Sequence, residues 1–173
     1  MKVWLTDRLR LRELNEGDAL FAFELNADPE VIRYTGDDPF ESIEDAGEFL
    51  KNYQSYLKYG FGRWGVELRD TGELIGWCGL KFTPELDEYD VGFRFFKRFW
   101  NQGFASEAAL KCLDIGFREF EMEMIIGRSM NENLGSIRVL QKIGLSLITD
   151  YKFDEEDGVI YGITRDQFLL MNK

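Results

Sequence analysis

Trp100-Asn101-Gln102-Gly103-Phe104-Ala105-Ser106-Glu107 stands between two kinds of periodicity. Upstream, residues 88–95 alternate with the period of two expected of a strand. Downstream, Ala105, Ala108, Ala109, Cys112, Leu113, Gly116, Phe117 and Phe120 recur at i, i+3, i+4 spacing, one face of an amphipathic helix. Residues 124–127 then form a short apolar strand. Strand, helix and strand within about forty residues make a βαβ unit, which requires a parallel strand pair. At the strand-to-helix junction, backbone N–H groups and the helix dipole converge on an anion. Gly103 permits close approach of the backbone, and the small Ala105 and Ser106 leave the helix mouth open. Arg94, Lys97 and Arg98 add three cations within five residues. A capped helix with a solvated basic edge is the structural alternative. No Gly-Lys-Ser/Thr follows, which excludes a nucleotide P-loop.

Working outward, residues 9–14 alternate as a strand, and Asn15 with Asp18 forms a capping box for a helix reaching about Asn26. Asp28-Pro29 opens a short second helix. Ser42 with Asp45 repeats the capping signature ahead of a single helical face formed by Ala46, Phe49, Leu50, Tyr53 and Leu57. Trp64, Val66 and Leu68 alternate as a strand, residues 70–72 turn the chain, and residues 74–82 return. Residues 135–143 form a helix ended by Gly144, and residues 147–153 and 159–164 a hairpin across an acidic turn. The expectation is one domain over residues 1–173 of α/β class, a mixed sheet with helices on both faces. Gly60-Phe61-Gly62-Arg63-Trp64-Gly65 spells GxGxxG, but it follows a helix and opens a strand, the reverse of a dinucleotide fingerprint. It is a glycine-rich turn.

Composition narrows the chemistry. The 173 residues are 45% apolar with fifteen Phe, a globular balance. No apolar run approaches the ~18 residues of a membrane span, and residues 1–13 carry no signal-peptide core. Cys78 and Cys112 lie in apolar surroundings without CxxC spacing, as expected of buried thiols in a reducing, cytoplasmic setting. The chain has no histidine, which removes Ser-His-Asp and Cys-His nucleophile systems and HExxH zinc sites. With two cysteines, no metal site is expected. Proton transfer falls to carboxylates, hydroxyls, amines or water. A net charge of −11 argues against nucleic acid or an anionic membrane as partner. It suits a cationic partner, or simple acidic solubility.

A second motif, Asn133-Leu134-Gly135-Ser136-Ile137-Arg138-Val139-Leu140-Gln141-Lys142-Ile143-Gly144-Leu145, follows the second strand of the βαβ unit. Asn133 can cap this helix, and Arg138 and Lys142 lie one turn apart, facing a second phosphate or water. Strand, WNQGFASEA, helix, strand and NENLGSIRVLQKIGL, in that order, resemble the GNAT superfamily of acyl-CoA-dependent N-acetyltransferases. Within it they resemble the Rim-type ribosomal-protein N-acetyltransferases, as do TDRLRLR at residues 6–12, DPEV at 28–31 and GELIG at 72–76. The likeness covers nearly the whole chain.

The resemblance implies a splayed mixed sheet with acetyl-CoA in the V between strands 88–95 and 124–127. It implies pantetheine contacts from the backbone of Phe93, Arg94 and Phe95, and pyrophosphate contacts from the amides of Gln102, Gly103, Phe104, Ala105 and Ser106. Arg98 and Arg138 are the neighbouring cations, Asn133 meets the pantetheine arm, and Ser136 sits near the thioester sulfur. Many family members carry a tyrosine acid where this chain has Leu140, whereas Rim-like members offer a serine, as Ser136 does.

The expected activity is direct transfer of acetyl from acetyl-CoA to a primary amine, with a backbone N–H near Phe93 stabilising the oxyanion and no acyl-enzyme. Glu85, Asp87, Glu88 and Asp90 precede the cations along the chain, a polarity that sorts a cationic amine to one mouth of the cleft and CoA phosphates to the other. At pH 7 a lysine amine costs about 4.6 kcal/mol to deprotonate and an α-amine about 1 kcal/mol. Without histidine, a low-pKa acceptor such as a peptide or protein N-terminal α-amine is favoured. Asp90 is the best available base, directly or through a water, with Glu88 on the same strand face as the alternative. Ser136 would donate to the departing sulfur. A non-catalytic CoA-binding regulatory module on the same fold is the competing class. The residues neither name the acceptor nor choose between a monomer and a homodimer.

Overall fold

The computed structural model describes residues 1–173. The chain runs through β1 (Val3–Leu5), β2 (Leu9–Arg12), α1 (Ala19–Ala27), α2 (Pro29–Ile32), α3 (Ile43–Lys51), α4 (Ser55–Tyr59), β3 (Arg63–Leu68) and β4 (Leu74–Thr83). It continues with β5 (Glu88–Phe95), α5 (Phe104–Arg118), β6 (Met124–Met130), α6 (Leu134–Lys142), β7 (Ser146–Phe153), β8 (Glu156–Thr164) and α7 (Arg165–Met171). All strands join one mixed sheet in the order β1-β2-β3-β4-β5-β6-β8-β7. Every neighbouring pair is antiparallel except β5 with β6, which α5 connects as a crossover. No helix is long and apolar enough to cross a membrane.

Strand parity sorts the two faces. Trp64, Val66, Cys78, Leu80, Val91 and Phe95 turn to α5 and share one core with its Ala108, Cys112, Leu113 and Phe117. The opposite parity places Arg63, Trp77, Asp90 and Arg94 on the other face, where α1 and α2 pack Phe21, Leu25 and Val31 against Trp77 and Phe96. The sheet is therefore covered on both sides, and its charged centre lies on the face of α1 and α2.

The capping signals hold. Asn15 and Asp18 form their box ahead of a 3-10 turn that leads into α1, and the Ser42 side chain accepts from the Asp45 amide. The single helical face expected through Leu57 does not form. The helix ends at Lys51 and restarts at Ser55, leaving Leu57 87% exposed. The break turns two tyrosines onto the sheet: the Arg63 N–H donates to the Tyr53 hydroxyl at 2.9 Å, and the Tyr56 hydroxyl donates to the Arg63 carbonyl. Two hydrogen bonds to a strand end outweigh continuation of a short amphipathic helix. β6 runs on to Met130 and β8 begins at Glu156, so the last hairpin has a shorter turn than its acidic sequence suggests. The short edge strand β1 and the terminal α7, capped by Thr164 and Gln167, carry too little periodicity to stand out from sequence.

A clamp ties the amino-terminal hairpin to the start of α5. Glu107 accepts from the Thr6 hydroxyl at 2.6 Å, the Arg8 amide at 2.9 Å and Arg8 Nε at 2.7 Å. Burial pushes the Glu107 carboxyl up, but these donors outweigh it and hold it below the usual carboxylate range. A depressed folded-state value stabilises the fold fully above the ordinary carboxyl range, and that contribution is lost as pH falls through the folded value. Glu107→Gln should therefore lower stability at pH 7 by about 1–3 kcal/mol, the cost of leaving partly buried donors poorly matched. In urea denaturation the gap between parent and variant should close as pH drops below about 4. A gap constant with pH would refute the clamp.

Candidate active site

β5 and β6 are in register only at Asp90↔Ile126, and beyond that point they part. The Leu80 N–H donates to Gly62 and the Phe96 N–H to Ile75, so alternation along the antiparallel β4–β5 ladder turns the main-chain groups of Val91, Phe93 and Phe95 away from β4. The Phe93 N–H and C=O thus face the gap. A cavity of about 470 Å³ occupies it, lined by Asp90, Gly92, Phe93, Arg128, Asn133 and Ser136 among others. The Asn133 side chain accepts from the Ser136 amide at 3.2 Å, while Ser136 Oγ engages no protein group. Leu140 is buried behind them, its side chain 2.6 Å from where a Cβ on Gly127 would lie. No tyrosine hydroxyl occupies that place.

At the start of α5, Gly103 has φ +81° and caps the helix without a side-chain acceptor. The first helical hydrogen bond runs from the Glu107 N–H to the Gly103 carbonyl, and the six amides of residues 101–106 donate to no protein group. This row of N–H groups at the positive end of a fifteen-residue helix suits a phosphate. Phe95 and Phe104 are buried, so only their main chain can reach a ligand.

The cations expected beside this row point elsewhere. Arg94 donates to Asn26 and, at 2.6 Å, to Asp37 on the opposite face; Lys97 pairs with Glu30, and Arg98 with Glu73 at 2.8 Å. Arg138 is exposed and has no carboxylate partner. Arg8 is the cation that sequence reasoning missed. It donates to the Gln102 carbonyl at 3.0 Å, stacks 4.3 Å from the Phe104 ring centre, and holds Nη2 3.3 Å from where a Cβ on Gly103 would lie. Its only sequence signal is the TDRLRLR segment, where alternation marks it as a surface residue.

Both candidate bases are arginine-paired. Asp90 Oδ1 accepts from Arg63 Nη2 at 2.5 Å, and Glu88 accepts from Arg128. The Arg63 guanidinium lies flat on Gly92, its Cζ, Nη1 and Nη2 each 2.8 Å from where a Cβ would stand. Burial pushes the Tyr56 hydroxyl up, so it stays protonated and serves to hold Arg63. Asp90 Oδ2 has no protein donor. Glu85 and Asp87 remain exposed in the β4–β5 turn.

A second cavity of about 260 Å³ lies between α1, α3 and the sheet, and meets the first at Arg63, Trp77 and Arg94. Cys78 and Cys112 are fully buried with their sulfurs 3.6 Å apart, away from both cavities, and burial pushes the Cys112 thiol well up. Neither is a nucleophile. No group of three or more Cys, Asp or Glu side chains is arranged to hold a metal.

Known proteins share this arrangement. The Acetyltransferase (GNAT) domain family matches residues 8–146. The uncharacterized N-acetyltransferase YoaA of Bacillus subtilis is 35% identical over 141 residues, covering 80% of each chain. Among solved structures, a GNAT-family acetyltransferase from Bacillus anthracis superposes with a TM-score of 0.83 at 26% identity, over 95% of this chain and 99% of that one. The Rim-type enzyme RimL, an α-N-acetyltransferase of ribosomal protein L7/L12 solved with coenzyme A, has a TM-score of 0.83 over 96% and 99% of the two chains. At 15% identity it shares the fold. Because the family match spans most of the chain and takes in the parted strands and the row of free amides, this protein belongs to the GNAT acetyltransferase family, as an N-acetyltransferase.

Proposed function

We propose that this N-acetyltransferase moves acetyl from acetyl-CoA directly to a low-pKa primary amine, such as the N-terminal α-amine of a peptide or protein. The observation that carries the proposal is the row of free amides at residues 101–106, set on the same face as α5 and separated from the charged centre by the gap at Phe93. The amides fit the pyrophosphate, with Arg8 as the nearby cation and Arg138 on α6 free for a further phosphate. The main chain of Phe93 fits an amide-bearing pantetheine arm, which Asn133 flanks. Acetyl-CoA supplies an activated acyl group. The acceptor then enters from the face of α1 and α2, so the two substrates meet through the sheet. RimL, solved with coenzyme A, supports the cosubstrate.

In the proposed step the amine lone pair adds to the thioester carbonyl carbon, an N–C bond forms and the C–S bond breaks. The Phe93 N–H donates to the oxygen as its charge develops. Ser136 Oγ, free of protein partners, donates to the departing sulfur. Arg63 and Arg128 tie the Asp90 and Glu88 carboxylates into ion pairs, so neither is free to swing onto the amine as a direct base. An α-amine near pKa 7.8 needs little help at neutral pH. Its proton leaves through a water held by Asp90 Oδ2, the oxygen that Arg63 leaves free.

Coenzyme A at a hundredfold its dissociation constant should add about 2.7 kcal/mol of stability. For a chain of this size that is roughly 5–10 °C in Tm, with no shift from ATP or NAD. Gly103→Val should remove the shift while costing about 1–2 kcal/mol or somewhat more of stability, because a β-branched residue at φ +81° is strained. An unchanged shift in that variant would displace the phosphate site.

Ser136→Ala should lower kcat about 10²-fold with coenzyme A affinity kept. Asp90→Asn should lower it less than about tenfold, with the pH profile still following the amine's own pKa. A larger, pH-dependent loss in Asp90→Asn would make Asp90 the direct base.

A further inference from the structure

The chamber between α1 and α3 has a chemistry of its own. At about 260 Å³ it exceeds the ~150 Å³ apolar cavity that holds a benzene ring, so a ring and its linking carbons fit. Ten of its fifteen lining residues are hydrophobic, with Phe21, Leu25, Phe40, Phe49, Tyr53 and Trp77 forming the walls. Phe40 and Phe49 pack with ring centres 5.5 Å apart, and Phe49 remains 55% exposed. An exposed phenylalanine on the wall of an apolar chamber has a partner to gain.

The charges on the lining are committed or peripheral. Arg63 is held by Asp90, Arg94 by Asn26 and Asp37, and only Asp38, exposed on the loop after α2, lacks a cation. A second ammonium could meet a free carboxylate only at the exposed Asp38; deeper in the chamber it would lose its water without gaining one, which disfavours a polyamine. The Tyr53 hydroxyl accepts from the Arg63 N–H and donates to nothing in the protein, so one donor remains for a carbonyl. The chamber shares Arg63, Trp77 and Arg94 with the cavity in the gap at Phe93, so the two lie side by side. A side chain seated there leaves the amine it carries at that shared boundary, next to the gap.

We propose that the preferred acceptor is an α-amine whose α-carbon bears an aromatic or large aliphatic side chain, which this chamber selects. The inference rests on the acetyl-transfer reading above. The same chemistry can come from a small amino-acid amide or from the first residue of a peptide, and a Phe-initiated peptide beside phenylalaninamide separates the two sources.

The test measures CoA release from acetyl-CoA with phenylalaninamide, leucinamide, alaninamide, glycinamide, spermidine, and tripeptides beginning with Phe or Ala. kcat/KM should favour the Phe and Leu acceptors over Gly and Ala by about tenfold or more, within the range that hydrophobic pockets discriminate. The difference should lie chiefly in KM. Phe49→Ala, which trims an exposed wall, should erase most of that preference and retain the thermal shift with coenzyme A. Equal use of glycinamide, preference for spermidine, or a Phe49→Ala enzyme with undiminished selectivity would each overturn the proposal. Turnover of none of these amines alongside a normal coenzyme A shift would overturn it while leaving the cosubstrate site standing. Loss of the shift in the parent protein would remove both.

Discussion

Two strands that begin as neighbours and then separate organise this molecule. A strand whose partner leaves it exposes main-chain groups that a continuous sheet would pair, at a cost of about 1–3 kcal/mol for each one buried without a partner. The separation persists because each strand is held more firmly from its other side. β5 stays in register with β4 at eight positions, from Gly76↔Phe95 to Thr83↔Glu88, and β6 with β8 at seven. Leu140 of α6, seated over Gly127, fills the space beside β6. The gap is a boundary between two well-paired half-sheets, and its unpaired Phe93 groups are poised for a ligand.

The gap also joins two faces of different chemistry. On the side of α5, a helix start offers six free amides, held in place because Glu107 and Arg8 tie the first turn and the preceding loop to the amino-terminal hairpin. On the other side, Arg63 and Arg94 flank Trp77, with guanidinium carbons 5.4 Å and 5.2 Å from its ring. In the reaction we propose, an anionic cosubstrate and an amine acceptor approach from opposite directions. That arrangement supports direct transfer, since neither substrate must leave before the other binds.

Charge pairing explains why a strongly acidic chain keeps a usable centre. Arg63, Arg94 and Arg128 are largely buried, and each is bonded to a carboxylate. Losing one partner of such a pair leaves an uncompensated charge that is strongly destabilising. These pairs set side-chain geometry more than they supply free acid or base. In the mechanism we propose, backbone N–H groups, a serine hydroxyl and water therefore carry the chemistry.

The signals legible from sequence were those contained within a few residues. Alternation over residues 88–95 put Glu88 and Asp90 on one strand face, and the box at Asn15 and the N-cap at Ser42 marked helix starts. The βαβ unit and the open helix mouth at Gly103 followed from a change of period and one glycine. The break between α3 and α4 was not legible, because it depends on tyrosines reaching a strand that comes later in the chain. Nor were the partners of the charged residues: Asp90 lies 27 positions from Arg63, and Arg8 lies 99 from Glu107. Local sequence determined which faces and turns exist, since sterics and periodicity act over one or two turns of chain. Tertiary structure alone decided which cation met which carboxylate and where the aromatic chamber closed, because those distances exist only once the elements have packed.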